Sequence, residues 1–281
     1  MALSYTWGVG ASSLAIELNG ASFSVGLNLF CLLVDLQKRF RLGHRFGESL
    51  RAVSPSRDAS RKDTVASSRL VEEGRIVKTQ CTLRNLFWID AICINQDDML
   101  ERGHQVGFMR DIYSTADFVM AWLGRGDPAI VDPALDMITD ERSESRNPST
   151  FSRAAAPAAA AFFERPSWDR MWIIPEFILP EKLFILWGSE GLWWGDLLFW
   201  LDTTVYTGEL FGLPGFRKVK HLCLHKYRQP RYMKGILPTT SLNDLIAAFG
   251  YGLCADPRDR VFSLLGLVNC EGPSKVDTVT W

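Results

Sequence analysis

The sequence predicts an α/β fold in which helices flank a parallel β-sheet, and three consecutive segments carry this prediction. Residues 87–94 are short, rich in aromatic and β-branched side chains and apolar apart from Asp90, as in a strand covered on both faces. Residues 97–115 then repeat apolar side chains at helical spacing after an acidic first turn. Residues 118–123 form a second apolar stretch that Gly124 ends. Strand, helix and strand in this order predict a right-handed βαβ unit.

Composition excludes several classes of protein. The 281-residue chain is 47% hydrophobic, which suffices for one large domain with a sizeable core. Its 31 basic and 32 acidic residues nearly balance, so we expect no nucleic-acid partner. The longest apolar stretch, residues 27–36, is too short to span a membrane and contains Asp35. The six cysteines form no C-x-x-C pair, as in a reduced thiol protein, and we expect a cytoplasmic location without a membrane span.

The N-terminal part of the chain predicts a short strand, a β-hairpin and a helix. Residues 2–6 form the strand. Residues 16–25 alternate apolar and polar side chains around Asn19-Gly20, a pair that favours a type I′ turn. Residues 28–40 place leucines at helical spacing, which predicts an amphipathic helix.

Residues 41–84 change composition to Arg, Ser, Glu and Asp with few large apolar side chains, which predicts a polar, mobile insert. Beyond the βαβ unit we expect one further strand at 182–188. We expect helices at 128–141, 154–164, 196–206, 241–250 and 258–266. The predicted organisation is an α/β core over residues 1–188 and a mostly helical C-terminal extension of the same domain over 189–281.

Five ordered blocks of this sequence resemble the fungal heterokaryon incompatibility (HET) domain. They are ALSYTWG at 2–8, LFWIDAICINQDD at 86–98, QVGFMRDIYSTADFVMAWLG at 105–124, RPSWDRMWIIPEFIL at 165–179 and ADPRDRVFSLLGL at 255–267. The family usually has one more strand and a tyrosine before the first block, so the present start resembles a truncated one. The resemblance implies a role in non-self recognition, in which fusion of incompatible hyphae triggers regulated cell death.

The HET domain is in turn distantly similar to Toll/interleukin-1 receptor (TIR) domains, which implies a TIR-like or flavodoxin-like parallel sheet. Some TIR domains cleave NAD with a glutamate on a W-x-x-x-E helix, and Trp172 and Glu176 have that spacing. This resemblance makes Glu176 the candidate catalytic residue and NAD a candidate substrate, with no cofactor required. Pro175 stands where the family has glutamine. Since proline disrupts a helix interior, we expect a kink or a restart there, and Glu176 as an ordinary helix residue stays an alternative.

A candidate ligand crevice follows from strand order. Asp90 is expected at the carboxyl end of its strand, where open α/β sheets bind ligands, and Asn95 and Gln96 follow in the next loop. The first predicted strand would bring further candidates to the same edge, namely Tyr5, Trp7 and Gly8. The alternative is that Asp90 and Asn95 cap loops and satisfy backbone groups.

Three further patterns are less specific. The segment 8–13 begins like a phosphate loop but lacks the third glycine and the following helix. His221 and His225 lack a third ligand, so we expect no metal site. The arginines of the two later family blocks either form ion pairs or bind a nucleotide phosphate; they are Arg165, Arg170, Arg258 and Arg260.

These patterns leave three functional hypotheses open. In the first, the crevice around Asp90 and Glu176 cleaves NAD. In the second, the domain is a non-enzymatic module that associates with itself and recruits other incompatibility or signalling proteins. In the third, the chain is a decayed paralogue, since its start, its polar insert and Pro175 all depart from the family pattern.

Overall fold

The computed structural model describes residues 1–8, 13–41, 68–72, 75–79, 87–139, 156–203, 212–227 and 241–268. The strands in these ranges are β1 Ala2–Ser4, β2 Ser13–Leu18, β3 Ala21–Gly26, β4 Ser68–Glu72, β5 Arg75–Thr79, β6 Val119–Trp122, β7 Leu183–Trp187 and β8 Glu190–Trp193. The α-helices are α1 Leu27–Arg41, α2 Asp90–Cys93, α3 Met99–Thr115, α4 Pro128–Thr139, α5 Ala156–Phe163, α6 Ile173–Ile178, α7 Trp194–Thr203, α8 Pro214–Tyr227, α9 Leu242–Phe249 and α10 Asp259–Leu265.

Contacts divide the chain into two compact units. The first unit combines residues 1–6 with residues 87–281, and the second comprises residues 7–86. The first unit therefore contains β1, the βαβ region and every described helix after α1. The sequence-based boundary at residue 188 stays a prediction.

The sheet of the first unit is mixed, in the order β1-β6-β7-β8. β1 pairs parallel with β6, and β6 pairs parallel with β7, as the sequence predicts. β8 then adds to β7 in antiparallel register through a two-residue turn at Gly188, whose φ of 61° suits a residue without a side chain. Every residue of β6 and β7 is buried, so helices cover both faces of these central strands.

The predicted strand at residues 87–94 is wrong beyond its beginning. Trp88 forms a single parallel bridge to Ala2, after which α2 turns the chain away from the sheet. The cause is local, because the Asp90 carboxylate accepts a hydrogen bond from the backbone N–H of Ala91 at 2.7 Å. Bonds of this kind compete with the hydrogen bonds of a strand.

The other sequence-predicted elements of the first unit agree closely with the structure. Helix α3 begins where expected, because the Asp98 side chain accepts hydrogen bonds from the backbone N–H groups of Leu100 and Glu101. Its buried residues are Gly103, Met109 and Tyr113. Helix α6 packs against the central strand β6 and against helices α3 and α8.

In the second unit, β2 and β3 pair antiparallel from Ser13 opposite Gly26 to Leu18 opposite Ala21. Asn19 and Gly20 both have positive φ, at 53° and 85°, so the predicted hairpin with a type I′ turn is confirmed. The predicted insert 41–84 contributes β4 and β5, which extend this sheet in the order β3-β2-β4-β5. Its residues 42–67, 73, 74 and 80–84 lie outside the described residues.

Two glycines of the first unit provide a matched test of the packing of α8 on α5. Gly215 is the second residue of α8, where an added Cβ would collide with the carbonyl oxygen of Phe163 at the end of α5. Gly107 lies inside α3 with no atom within 4 Å of an added Cβ.

We expect Gly215→Ala to destabilise the fold by about 2 kcal/mol or more, because α8 must move away from α5. Gly107→Ala should stabilise it by up to about 1 kcal/mol, since alanine favours helix. Urea unfolding of both variants measures this difference, and a Gly215→Ala variant as stable as the parent would contradict the packing of α8 on α5.

Candidate functional site

The carboxyl ends of two neighbouring chain segments bring polar side chains together at one edge of the mixed sheet. Ser4 ends β1 and Tyr5 follows it, while Trp88 runs parallel to β1 and leads to Asp90. Tyr5 is 3% exposed, and its hydroxyl is hydrogen-bonded to the Asp90 carboxylate. The pKa of Tyr5 is raised above its ordinary value, first by burial and then by the neighbouring Asp90 charge. The structure thus brings together Tyr5 and Asp90, two of the candidate residues, and ligand binding by them stays a prediction.

Glu176 reaches the same edge from α6 and is almost fully buried, with 2% of its surface exposed. The Ser4 hydroxyl donates a hydrogen bond to its Oε2 at 2.5 Å. The Tyr113 hydroxyl of α3 donates to its Oε1 at 3.3 Å. Strand β1 and helix α3 therefore each supply one donor to the carboxylate of α6.

Arg170 completes the shell around Glu176. Its Nη1 lies 3.4 Å from Oε2 and its Nη2 lies 3.4 Å from Oε1, which is a two-pronged pairing between guanidinium and carboxylate. The Arg170 side chain is 17% exposed, whereas that of Glu176 is 3% exposed. The pair is therefore reached from the Arg170 side.

Burial sets the protonation chemistry of this cluster. Loss of hydration raises the pKa of Glu176 above its ordinary value, and the Asp90 charge also raises it. Arg170, Ser4 and Tyr113 act in the opposite direction by favouring the ionised carboxylate. We refer to these six residues as the carboxylate cluster: Ser4, Tyr5, Asp90, Tyr113, Arg170 and Glu176.

Pro175 does not disturb the position of Glu176. Helix α6 begins at Ile173, so Pro175 lies in the first turn, where a backbone N–H has no partner inside the helix. The backbone N–H of Glu176 still donates to the carbonyl of Trp172 at 3.4 Å. The departure from the family pattern at this position is thus compatible with a helix that presents Glu176 to the cluster.

The remaining candidate residues have other surroundings. Gln96 donates to the backbone carbonyl of Asp90 at 2.9 Å, and the Asn95 side chain accepts from the backbone of Asp97 at 3.2 Å. These bonds stabilise the loop after α2, as the alternative interpretation holds. Trp7 and Gly8 belong to the second unit, where Gly8 lies close to Asn28 with a φ of 89°. Ligand binding by these four residues stays a prediction.

Two members of the cluster are not among the residues predicted from the sequence. Ser4 stands in a buried strand, and Tyr113 stands on the apolar face of α3, so both resemble ordinary core positions. The sequence does show that both carry a hydroxyl group at a position predicted to be buried, and a buried hydroxyl group needs a hydrogen-bond partner. Ser4 also directly precedes Tyr5, which was a candidate.

Two other arginines of the family blocks, Arg165 and Arg258, have structural partners. Arg165 donates to the backbone carbonyls of Leu123 and Arg125, both at 3.0 Å. Arg258 pairs with Asp256 at 2.6 Å on the surface, as the ion-pair interpretation predicts. His221 and His225 contact the ring of Phe249. Within the described ranges no three His, Cys, Asp or Glu side chains are arranged to hold a metal ion.

Comparison with known proteins gives the family. The model of the heterokaryon incompatibility protein (HET) family matches residues 1–176, which include the whole carboxylate cluster. The chain belongs to the HET family. It is also 33% identical over 129 residues to heterokaryon incompatibility protein 6, OR allele, of Neurospora crassa.

The match to that relative covers 33% of this chain and 18% of the relative, so it spans only a small part of the relative's length. No solved structure matches the chain. Among the described helices of this HET-family chain, none is long and apolar enough to cross a membrane.

The donor contacts to Glu176 generate a prediction for Ser4. Ser4→Ala removes one of the two donors to Oε2, and the loss of a hydrogen bond to a buried carboxyl group should destabilise the fold by about 2 kcal/mol. Ser114→Ala is the control, because that hydroxyl only donates to the carbonyl of Asp111 within α3, and we expect a change of about 0.5 kcal/mol or less. Chemical unfolding compares the two, and equal losses would contradict a special role for Ser4.

Proposed function

We propose that this chain acts in fungal heterokaryon incompatibility, where it triggers regulated cell death after non-self recognition. Its membership of the HET family and its similarity to an incompatibility protein of Neurospora crassa support this role. We place the reaction in the cytoplasm, where the contents of fused hyphae mix. The HET region would be the effector part of the response.

We further propose that the carboxylate cluster cleaves NAD at the bond between nicotinamide and ribose. The observation that carries this proposal is the charge of the cluster, in which the described residues supply two carboxylates, Asp90 and Glu176, that act on each other, and one guanidinium, Arg170, that pairs with Glu176. Excess negative charge favours a cation, and both the nicotinamide ring of NAD and the oxocarbenium-like centre formed at the ribose are cationic. The sheet edge is also where α/β folds of the proposed TIR-like or flavodoxin-like type bind ligands.

In this reaction the carbon–nitrogen bond to nicotinamide breaks, and neutral nicotinamide leaves with the bonding electrons. Water then attacks the ribose carbon and loses a proton, so that ADP-ribose is the second product. The carboxylate of Glu176 would stabilise the positive charge that develops on the ribose. Tyr5 and Asp90 lie beside it and would bind the ribose hydroxyls.

Burial of Glu176 defines what must happen before cleavage. Because both carboxylate oxygens have protein partners, a substrate must draw at least one partner away. Arg170 is the exposed member of the pair, and a nucleotide phosphate is a competing bidentate acceptor for its guanidinium. A phosphate that binds Arg170 would thereby uncover Glu176 for the ribose.

The same burial supports a second candidate function. If Glu176 stays enclosed, the cluster only fixes β1, α3 and α6, and the domain acts by self-association and recruitment of signalling partners. The complete set of protein partners on the Glu176 oxygens is the specific observation in favour of this non-enzymatic module.

Release of nicotinamide from NAD, measured by chromatography at high protein concentration, tests the enzymatic proposal. We expect release by the parent and a loss of about 100-fold or more in Glu176→Gln, because the charge that stabilises the cation is gone. Glu164→Gln is the matched control, since Glu164 is exposed at the end of α5, and its rate should equal that of the parent.

Thermal unfolding establishes that each variant is folded. If Glu176→Gln unfolds, Asp90→Asn replaces it, because Asp90 is only partly buried. No release from folded, self-associated parent protein, or equal release by the parent and the Glu176 variant, would reject catalysis at this site. The first of these outcomes would favour the non-enzymatic module.

A further inference from the structure

The segment that carries Arg170 has no regular secondary structure of its own. It lies between a 3₁₀-helix at Pro166–Asp169 and the start of α6, and Arg170 has an extended backbone with φ −69° and ψ 143°. An arginine side chain is long and loses much rotamer freedom when it is held in a two-pronged contact. A pairing of this kind therefore needs a backbone that other parts of the protein hold in place.

Leu253 holds this backbone on both sides of Arg170. Its N–H donates to the carbonyl of Asp169 at 2.5 Å, and its carbonyl accepts from the N–H of Met171 at 2.9 Å. Together these bonds form a parallel bridge between Leu253 and Arg170. Leu253 is 68% exposed, so its backbone and not its side chain holds the Arg170 segment.

Neighbouring residues strengthen the same attachment. Gly252 approaches so closely that an added Cβ would collide with the sulfur of Met171. The Asp259 carboxylate, at the start of α10, accepts a hydrogen bond from the indole N–H of Trp172. The 169–172 segment is thus fixed through its backbone at Leu253 and through a side chain at Asp259.

Helix α8 anchors the other end of this attachment. Lys218 is 1% exposed, and its Nζ lies 5.5 Å from the centre of the Tyr251 ring. Burial lowers the pKa of Lys218 to about 8, while the charge of Asp169 opposes this change. Tyr251 therefore contacts α8 directly before the residues that contact the Arg170 segment.

We propose that residues 251–259 form a clamp that positions Arg170 against Glu176, with Leu253 and Asp259 as positioning residues of the site. The clamp lies outside residues 1–176, which match the family model, although the pair that it aligns lies inside them. Its catalytic significance rests on the proposed function. Its effect on the Arg170–Glu176 pair does not, because that pair joins two side chains of the chain itself.

The carboxyl group of Glu176 reports the position of Arg170. Nearby positive charge favours the ionised carboxylate, so withdrawal of Arg170 must raise the Glu176 pKa. The other ionisable groups around Glu176 are Asp90, Tyr5 and Tyr113, and none of them belongs to the clamp. Removal of the Asp259 charge through space alone would act in the opposite direction, since it removes a negative charge.

Carbon-13 NMR of glutamate carboxyl groups, with Glu176→Gln to assign the signal, measures this pKa without a nucleotide. In Asp259→Ala we expect the Glu176 pKa to rise by about one pH unit, as Arg170 is released. Asp259→Asn keeps an oxygen acceptor for Trp172 and should restore the parent value. Asp136→Ala is the matched control, because it removes an equal charge from the exposed face of α4, outside the clamp.

A Glu176 pKa in folded Asp259→Ala that equals that of the parent, or that falls, would overturn the clamp. If Asp259→Ala fails to fold, Trp172→Phe removes the same hydrogen bond from the donor side and keeps an aromatic ring in place. The same rise is expected there, and an unchanged value overturns the proposal. Failure to release nicotinamide would bear on the proposed function only, since the titration requires no catalysis.

Discussion

The buried carboxylate of Glu176 constrains three separate parts of the chain, because a charged group removed from water is costly unless other groups compensate it. Its partners come from the end of β1, from the apolar face of α3 and from the irregular segment before α6. The mixed sheet, helix α3 and the start of α6 must all be correctly positioned for these contacts to form together. A single side chain thereby links elements that are far apart in the sequence.

Hydrophobic pattern was sufficient for most of the fold. The buried strands β6 and β7, helix α3 with its Asp98 cap and the hairpin at Asn19-Gly20 were predicted, because each depends on local periodicity or on turn chemistry. The strand at 87–94 failed because Asp90 bonds to its own neighbouring backbone. Neither strand β8, which pairs with β7 across the turn at Gly188, nor helix α8 was predicted.

Part of the candidate site could also be predicted from the sequence. Glu176, Tyr5 and Asp90 were found because motif spacing and strand order place them at one edge of the sheet. Arg170 was noted, but two partners were open for it, and only the fold pairs it with Glu176. Ser4 and Tyr113 look like core residues in the sequence, because the need of a buried carboxylate for donors has no local pattern. The contact of Leu253 with the Arg170 segment is a backbone contact, which side-chain identity does not reveal.

The pairing of Arg170 with Glu176 is the claim on which the site and the clamp both depend. A double-mutant cycle with Arg170→Met, Glu176→Gln and the combined variant, followed by chemical unfolding, isolates the interaction between the two side chains. The structure predicts a favourable coupling free energy of about 2 kcal/mol, since each single variant leaves the other group without its partner in a largely buried position. A coupling free energy indistinguishable from zero, with all three variants folded, would contradict the account.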